Sequence, residues 1–219
     1  MKIFIDSGHL KDIEALVPLG IIDGVTTNPS LLAKESGDPR ALLKKICETV
    51  KGPVSAEVTT TDAAAMVKEG RELARIDPHI VVKVPLTRDG IKACRELSDE
   101  GTRVNVTLCF TPAQALLAAK VGATYISPFV GRLDDIATPG MELVQSIVEI
   151  YEHFQFKTEI LVASARGPMH IVEAARMGAD ICTCPPAVIE SLFNHPLTDI
   201  GLKKFLADWE KAQAATATR

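Results

Sequence analysis

The sequence predicts a single-domain α/β protein, and three observations favour this fold class. Short β-branched segments recur along the 219 residues, each is followed by a longer stretch with helical periodicity, and no low-complexity linker divides the chain. Neighbouring parallel strands need a crossover between them, which the helical stretches supply. Eight strand–helix units indicate a closed (β/α)8 TIM barrel, although the pattern by itself leaves an open, doubly wound sheet possible.

The predicted elements cover most of the chain, as one domain over residues 1–219. The predicted strands span residues 2–6, 24–28, 53–58, 80–86, 103–110, 124–130, 159–164 and 180–184. Helical periodicity is clearest over residues 62–75, 89–100, 112–121 and 141–154. Pro29, Pro112 and Pro168 stand just after strands, where a helix can begin. Gly122 and Gly178 stand where helices are expected to end.

A further helix is predicted at the C-terminus, over residues 199–213. Leu202, Phe205, Leu206 and Trp209 recur at positions i, i+3, i+4 and i+7, which predicts an apolar stripe along one face. This stripe either packs on the barrel's own helices or docks on a neighbouring subunit. The residues after Lys211 are rich in Ala and Thr, and we expect them to fray.

Composition excludes several classes of function. The net charge of −4 and the pI near 5.8 do not favour binding to nucleic acid or to a membrane surface. No apolar segment approaches the roughly 20 residues that cross a bilayer, and the acidic Asp6 within MKIFIDSGHL argues against a secretory signal. The sequence has neither GxGxxG after its first strand nor GxxxxGK[ST], which weakens a nucleotide-binding interpretation. We therefore expect a cytoplasmic protein.

The five cysteines do not form a recognisable framework. They are odd in number and scattered, which argues against disulfides. Cys182 and Cys184 would share one face of a strand, but no grouping of histidines accompanies them as further metal ligands. We expect buried free thiols and no metal site.

Lys83 is the most unusual residue of the sequence. It lies within VVKVP, whose valines predict a strand that is buried on both faces. Burial of an unpaired lysine is costly and disfavours its charged form. One interpretation is a structural ion pair with Glu57 or Asp6 across the barrel. The other is a neutral amine that attacks a carbonyl group to form a Schiff base.

Further polar residues are predicted at the carboxyl ends of the strands, where barrel enzymes carry their active sites. Asp6 and Glu57 would supply the proton transfers that Schiff-base chemistry needs, although Asp6 could instead cap the next helix. The other candidates near strand ends are Thr26, Thr27, Asn28, Asn105, Thr107, Ser127 and Phe129.

The segment Ser164-Ala-Arg166-Gly-Pro168 predicts a phosphate site. It follows the seventh strand at the start of a helix, where main-chain N–H groups and an arginine favour an anion. Ser164 could instead simply cap that helix. Arg132 is a second candidate cation, with pairing to Asp134 or Asp135 as its alternative role.

Together these segments resemble a known family. FIDSG, GVTTNPSL, VSAEVT, VVKVPLT, NVTLCFTPAQALLAAKVGATYISPFVGRLDDI and LVASAR occur in the order found in the small transaldolases, which are related to the fructose-6-phosphate aldolases. The resemblance spans nearly the whole predicted barrel. It implies that Lys83 is the Schiff-base lysine, that Asp6 is a general acid and base, and that Glu57 acts through a water with Thr107.

The resemblance also implies the substrates and the assembly. Contacts to the dihydroxyacetone part would come from Thr26, Asn28, Asn105 and Ser127, and contacts to the phosphate from Arg132, Ser164 and Arg166. Fructose 6-phosphate or sedoheptulose 7-phosphate would be the donor, and erythrose 4-phosphate or glyceraldehyde 3-phosphate the acceptor, as in the pentose phosphate pathway. No cofactor would be required. The family forms homo-oligomers, pentamers or decamers, in which the C-terminal helix reaches a neighbour, and this favours an intersubunit role for Trp209.

Two positions bear on the choice between transfer and cleavage. Glu57 and Phe129 resemble the transaldolase pattern, whereas the aldolases carry Gln and Tyr. Gly167-Pro168 departs from many relatives, which have Asn or His after the arginine. Two other hypotheses are a barrel that binds a sugar phosphate without turnover and a metal-dependent aldolase. The joint presence of Lys83, Asp6 and Glu57 argues against the non-catalytic barrel.

Overall fold

The computed structural model describes residues 1–217 and contains a closed barrel of eight strands. Each strand pairs in parallel with the next, and the last pairs in parallel with the first. The strands are β1 (Lys2–Asp6), β2 (Gly24–Thr26), β3 (Val54–Glu57), β4 (Ile80–Pro85), β5 (Val104–Cys109), β6 (Tyr125–Pro128), β7 (Glu159–Val162) and β8 (Ile181–Cys184). The (β/α)8 barrel is therefore confirmed, and the open doubly wound sheet was the wrong alternative.

Helices follow each of the strands, and all of these helices except the last, at the C-terminus, surround the barrel. They are α1 (Leu10–Leu16), α2 (Pro29–Leu32), α3 (Pro39–Val50), α4 (Ala63–Ala74), α5 (Arg88–Asp99), α6 (Pro112–Lys120), α7 (Val130–Asp134), α8 (Gly140–Phe154), α9 (Pro168–Met177), α10 (Pro186–Ser191) and α11 (Pro196–Ala217). No helix that the structure describes is both long enough and apolar enough to span a membrane.

The helix starts follow the chemistry that the sequence predicts. Pro29, Pro112 and Pro168 are the first residues of α2, α6 and α9, since a proline at that position has a suitable fixed φ and needs no intrahelical N–H partner. Asn28 caps α2 by accepting a hydrogen bond from the Leu31 N–H, at 2.9 Å. The three prolines therefore mark where the chain turns from the mouth of the barrel into a helix.

Alternation along each strand separates two apolar regions. In β4, Val82 and Val84 face the main core between the strands and the surrounding helices. Val81 faces the opposite way, into a smaller cluster inside the barrel that also contains Phe4 and Tyr125. The Phe4 and Tyr125 rings meet edge to face, with centroids 6.3 Å apart. Lys83 shares the parity of Val81, so it faces the interior above this apolar floor.

The strand β5 departs from regular geometry beside the mouth of the barrel. Its register to β6 shifts between Val106 and Cys109, and Leu108 has a φ of 61°. This bulge leaves the Leu108 side chain 42% exposed, although it lies within a strand of otherwise buried residues. Because an extra residue reverses the alternation, Thr107 and Phe110 can both lie on the side of the barrel mouth.

The C-terminal helix is longer than predicted. Helix α11 begins at Pro196, three residues before the expected start at residue 199, and continues through Ala217. The helix extends through Ala217, in keeping with an Ala-rich end of good helix formers, and the expected fraying after Lys211 stays a prediction. Residues 218 and 219 lie outside the described residues. Phe205 and Trp209 are 72% and 62% exposed, so the apolar stripe does not pack on the barrel of its own chain.

Candidate active site

Lys83 lies inside the barrel with its amino group beside a carboxylate. The residue is 5% exposed. Its Nζ donates to the Thr27 carbonyl oxygen at 2.5 Å and lies 3.0 Å from Glu57 Oε2. The ion pair with Glu57, one of the two alternatives predicted for this lysine, is therefore present, and it does not exclude a chemical role because the carboxylate lies within proton-transfer distance.

Strand register explains why these two residues meet. Glu57 and Lys83 are direct partners in the β3–β4 pairing, and Lys83 and Asn105 are partners in the β4–β5 pairing. Residues paired in neighbouring parallel strands point to the same face, so three consecutive strands project polar side chains into the barrel at one level. Closure of the barrel brings the remaining strand ends around the same point.

Asp6 completes the charged part of the interior. Thr26 Oγ1 donates to Asp6 Oδ1 at 2.8 Å, and the same hydroxyl lies 2.7 Å from Thr183 Oγ1. Burial raises the pKa of Asp6 above its ordinary value, while the Thr26 hydrogen bond and the charge of Lys83 act in the opposite direction. A raised pKa suits a carboxyl group that must both donate and accept protons.

A second polar chain fixes the amide of Asn105. Its Nδ2 donates to Ser55 Oγ at 3.1 Å, and its Oδ1 accepts from Ser127 Oγ at 2.8 Å. All three residues are buried. Because both ends of the amide are held, Asn105 and Ser127 present a preorganised polar wall between β4 and β6.

Asp6, Lys83 and Asn105 line one small cleft at the mouth of the barrel. Phe129, the residue that precedes α7, forms one side of the cleft and meets Phe110 edge to face, with centroids 6.0 Å apart. The lining consists of Asp6, Thr26, Lys83, Asn105, Thr107, Ser127, Phe129, Leu161, Ala163 and Thr183. An amine and a carboxyl group among several hydroxyl and amide groups are suited to a small carbonyl compound with several hydroxyl groups.

The residues predicted to bind phosphate lie beyond this cleft. Ser164 is half-buried and has a φ of 60°, in the left-handed region, which L-residues other than Asn and Asp seldom adopt. Arg166 is exposed, and its guanidinium forms two hydrogen bonds to Asp135, Nη1 to Oδ1 at 2.5 Å and Nη2 to Oδ2 at 2.6 Å. This pair lowers the pKa of Asp135. Arg132 is exposed on α7, and its charge also lowers the pKa of Asp135.

Several alternative roles for these residues are wrong. Asp6 does not cap α1, whose N-cap is His9, and Ser164 does not cap α9, whose N-cap is Gly167. Asp135 pairs with Arg166, whereas pairing with Arg132 was the alternative considered from sequence. For Asp6 and Ser164 the reason is that the chain runs on for several residues between the strand end and the helix.

Asn28 is placed differently from the other predicted contacts. Its side-chain oxygen caps α2, and the residue does not line the cleft around Lys83. The Thr27 carbonyl, one residue earlier, instead contacts the lysine.

The sequence analysis did not identify Thr183, which lines the cleft, or Ser55, which contacts a residue of its lining. Thr183 contacts Thr26, and Ser55 contacts Asn105, so each extends one of the two polar chains. The alternation of β8 provided a signal, because Thr183 has the parity opposite to that of Cys182 and Cys184. Attention to the two cysteines obscured the threonine between them.

The cysteines are buried free thiols, as predicted. Burial raises the pKa of Cys109 to about 12 and that of Cys94 to about 11, so these groups are protonated thiols at neutral pH. Within residues 1–217, no three His, Cys, Asp or Glu side chains are grouped as a metal site.

Comparisons with known proteins agree with this geometry. The sequence model of the family "Transaldolase/Fructose-6-phosphate aldolase" matches residues 3–216. A protein of Anaeromyxobacter sp. (strain K), named probable transaldolase, is 59% identical over 215 residues, which are 98% of this chain and 99% of the relative. Probable transaldolases of Syntrophobacter fumaroxidans and Nitrosopumilus maritimus are 58% and 55% identical, over 97% and 98% of this chain and 98% and 97% of the relatives. The chain therefore belongs to the transaldolase/fructose-6-phosphate aldolase family.

Proposed function

We propose that this protein is a transaldolase of the pentose phosphate pathway. It transfers a dihydroxyacetone unit from fructose 6-phosphate or sedoheptulose 7-phosphate to erythrose 4-phosphate or glyceraldehyde 3-phosphate. The observation that carries this proposal is the buried amine of Lys83, 3.0 Å from the Glu57 carboxylate and in the same cleft as Asp6. The probable transaldolases described above, similar over almost their full lengths, support it.

The first step uses Lys83 and Glu57. The uncharged amine attacks the C2 carbonyl carbon of the ketose phosphate, and the C2 oxygen leaves as water, so that a Schiff base joins C2 to Nζ. Glu57 is close enough to accept a proton from Nζ and to return it to the departing oxygen, directly or through a water held by Thr107. The apolar floor of Phe4, Val81 and Tyr125 closes the barrel below the amine.

The second step uses Asp6. The protonated Schiff base withdraws electrons from C3, so the C3–C4 bond breaks as Asp6 removes the proton of the C4 hydroxyl. An aldose phosphate leaves, and a three-carbon enamine stays on Lys83. The acceptor aldehyde then bonds to C3 while Asp6 returns the proton, and water releases the new ketose. The reaction needs no cofactor, since the lysine itself is the electron sink.

Substrate binding is divided between the cleft and the segment beyond it. Thr26, Asn105 and Ser127 face the reacting carbons from the cleft wall. We also assign a substrate contact to Asn28, two residues after the end of β2. We assign the phosphate at the other end of the sugar to Arg132, Ser164 and Arg166, since both arginines act on Asp135 and Ser164 stands two residues before Arg166.

Transfer is favoured over simple cleavage by Phe129. The side chain lines the cleft and has no hydroxyl with which to protonate the enamine. The enamine therefore survives until an acceptor binds. An aldolase that releases dihydroxyacetone is the second candidate, because the matched family includes fructose-6-phosphate aldolases.

Borohydride trapping tests the covalent step. With fructose 6-phosphate present, reduction should attach a three-carbon adduct to the peptide that contains Lys83, and Lys83→Met should abolish it. Lys92→Met is a matched control, because Lys92 is exposed on α5. Modification of another residue, or none, would exclude the mechanism. Dihydroxyacetone release without an acceptor, at a rate equal to transfer, would favour the aldolase.

We also propose that α11 docks on a neighbouring subunit of a pentamer or decamer. Helix α11 exposes several large apolar side chains that a monomer would leave in water: Leu197, Ile200, Leu202, Phe205, Leu206 and Trp209. Light scattering of the full chain should give five or ten subunits, and Phe205→Asp with Trp209→Ser should lower that number. A monomeric wild type would exclude the assembly. The unpaired thiols suit the reducing cytoplasm, where we place the reaction.

A further inference from the structure

Two helices, α7 and α9, meet around the segment from Ser164 to Arg166. Helix α7 lies on one side of it and the first turn of α9 follows it in the chain. A Cβ added to Gly131 of α7 would come within 2.3 Å of the Ser164 carbonyl oxygen and 2.6 Å of Arg166 Nε. This segment therefore lies directly against the α7 backbone, and its path depends on what joins it to α7 and α9.

The main chain of the segment is held by His170. The Arg166 N–H donates to His170 Nδ1 at 3.0 Å. A ring nitrogen that accepts a hydrogen bond carries no proton, so the proton of the neutral imidazole is on Nε2. That nitrogen lies 3.0 Å from Asp134 Oδ2 and donates to it. The contact selects the tautomer in which Nδ1 remains an acceptor.

Asp134 is held in turn by the chain that leads into α8. Its Oδ1 accepts from the Gly140 N–H at 2.9 Å. The hydrogen bonds thus run from the main chain of Arg166 through His170 to Asp134, which also accepts from Gly140. Each hydrogen bond in this series has a fixed donor and a fixed acceptor. The series links residues of α7, α8 and α9. We call Asp134 and His170 the loop clamp.

We propose that the loop clamp is a positioning device for phosphate recognition. It sets the main chain from Ser164 to Arg166 in the path that binds the phosphate group of the substrate. The φ of 60° at Ser164 is unfavourable for a residue with a Cβ, so the segment needs contacts that hold it there. The two hydrogen bonds to the Asp135 carboxylate orient the Arg166 guanidinium and leave its other N–H groups for the phosphate. This inference rests on the proposed function.

Two substitutions of His170 separate the two ends of the clamp. In His170→Asn the shorter amide places its oxygen near the position of Nδ1, so it can still accept from the Arg166 N–H. In His170→Gln the amide reaches the position of Nε2 and can still donate to Asp134, but the Arg166 N–H loses its acceptor. We expect His170→Gln to raise the KM for fructose 6-phosphate about tenfold, with kcat little changed, and His170→Asn to raise it much less.

Asp134→Asn tests the clamp without touching the segment itself. An amide offers one oxygen and one NH2, whereas Asp134 accepts from two N–H donors. With the NH2 towards His170, the imidazole must move its proton to Nδ1 and then faces the Arg166 N–H with a second donor. With the NH2 towards Gly140, two donors oppose each other there. We expect an increase in KM comparable to that of His170→Gln.

The readouts distinguish positioning from general stability. The variants are assayed with fructose 6-phosphate and with unphosphorylated fructose, and binding of inorganic phosphate is measured by titration without turnover. Arg176→Gln, exposed on the same helix, is the control. The proposal expects weaker phosphate binding and a higher KM for the phosphorylated sugar alone. An equal loss with both sugars, or no change in phosphate binding, would overturn it.

Failure of the proposed function would give a different result. A wild-type protein that binds inorganic phosphate, but forms no adduct on Lys83 and transfers no three-carbon unit, would contradict the transaldolase assignment. The phosphate titration would still report on the clamp in that case. A wild-type protein whose phosphate binding is unaffected by His170→Gln would contradict the clamp, whatever the reaction at Lys83.

Discussion

Gly131→Ala is a sensitive test of the place assigned to the phosphate-binding segment. Gly131 is buried in α7, and an added Cβ would lie 2.3 Å from the Ser164 carbonyl oxygen and 2.6 Å from Arg166 Nε. Ordinary contact would require the carbonyl to move away by about 1 Å. The main chain of Ser164 cannot turn aside freely, because the Val130 N–H donates to the preceding carbonyl, that of Ala163, at 3.1 Å.

Two effects on stability oppose each other in this variant. Alanine in place of glycine favours a helix by about 1 kcal/mol, while the steric overlap costs about 1–3 kcal/mol. The unfolding free energy should therefore fall by between 0 and about 2 kcal/mol, which leaves the protein folded. Catalysis is more sensitive, since a displacement of about 1 Å in a positioning group can cost about 100-fold in rate. We expect kcat/KM for fructose 6-phosphate to fall about 100-fold.

The assay compares phosphorylated and unphosphorylated donors at equal concentrations of folded protein. The loss should be concentrated on fructose 6-phosphate, with a much smaller change for fructose. Gly167→Ala is the matched variant, because a Cβ at Gly167 meets nothing within 4 Å. If Gly131→Ala leaves kcat/KM for fructose 6-phosphate unchanged while remaining folded, the segment beside α7 does not bind the phosphate.

Three further outcomes are expected from the cleft. Burial raises the pKa of Asp6 in the folded protein above its value of ~3.9 in the unfolded chain. The stability that this carboxyl group contributes is therefore fully present below ~3.9 and is lost as the pH rises through the pKa of the folded protein. Asp6→Asn should therefore raise the free energy of unfolding at neutral pH while abolishing transfer, and urea titrations should show the gain vanishing near pH ~4. Thr183→Val should lower the apparent pKa that Asp6 contributes to the pH–rate profile. Protonated Asp6 donates to Thr26, and the Thr26 hydroxyl then needs Thr183 as its acceptor. Thr183→Ser should restore this apparent pKa, and an unchanged value in the valine variant would contradict the role of Thr183. Phe129→Tyr should increase dihydroxyacetone release relative to transfer, which a coupled assay without acceptor measures, and an unchanged ratio would remove Phe129 from the choice between the two reactions.

Much of the fold follows from local patterns. The VVKVP segment predicts both the strand β4 and the inward direction of Lys83, because alternation in a strand depends on the backbone alone. Prolines at the starts of α2, α6 and α9 predict where the chain turns, since a fixed φ is a local property. The bulge at Leu108 was not predicted, because it depends on the pairing of β5 with β6 and not on a residue that favours a positive φ.

The candidate site was predicted as a set of residues and not as a set of contacts. Asp6, Glu57 and Lys83 could be placed at one end of the barrel because parallel strands present their carboxyl ends together. Their individual partners could not. Ser164 and Asp6 each had a plausible local alternative as a helix cap, and the sequence contained nothing to decide against it until the loop paths were known.

What the sequence by itself determined is therefore the type and order of the elements, the lysine inside the barrel and the family to which the chain belongs. These depend on periodicity and on short motifs, which survive without knowledge of the rest of the molecule. The tertiary structure alone decided that Arg166 forks on Asp135, that His170 holds the Arg166 main chain, and that Thr183 contacts Thr26. Thr26 and Thr183 are 157 positions apart in the sequence. They meet because β8 pairs with β1, the neighbour of the strand β2 that carries Thr26. Barrel closure is a property of all eight strands together, so no local segment encodes those contacts.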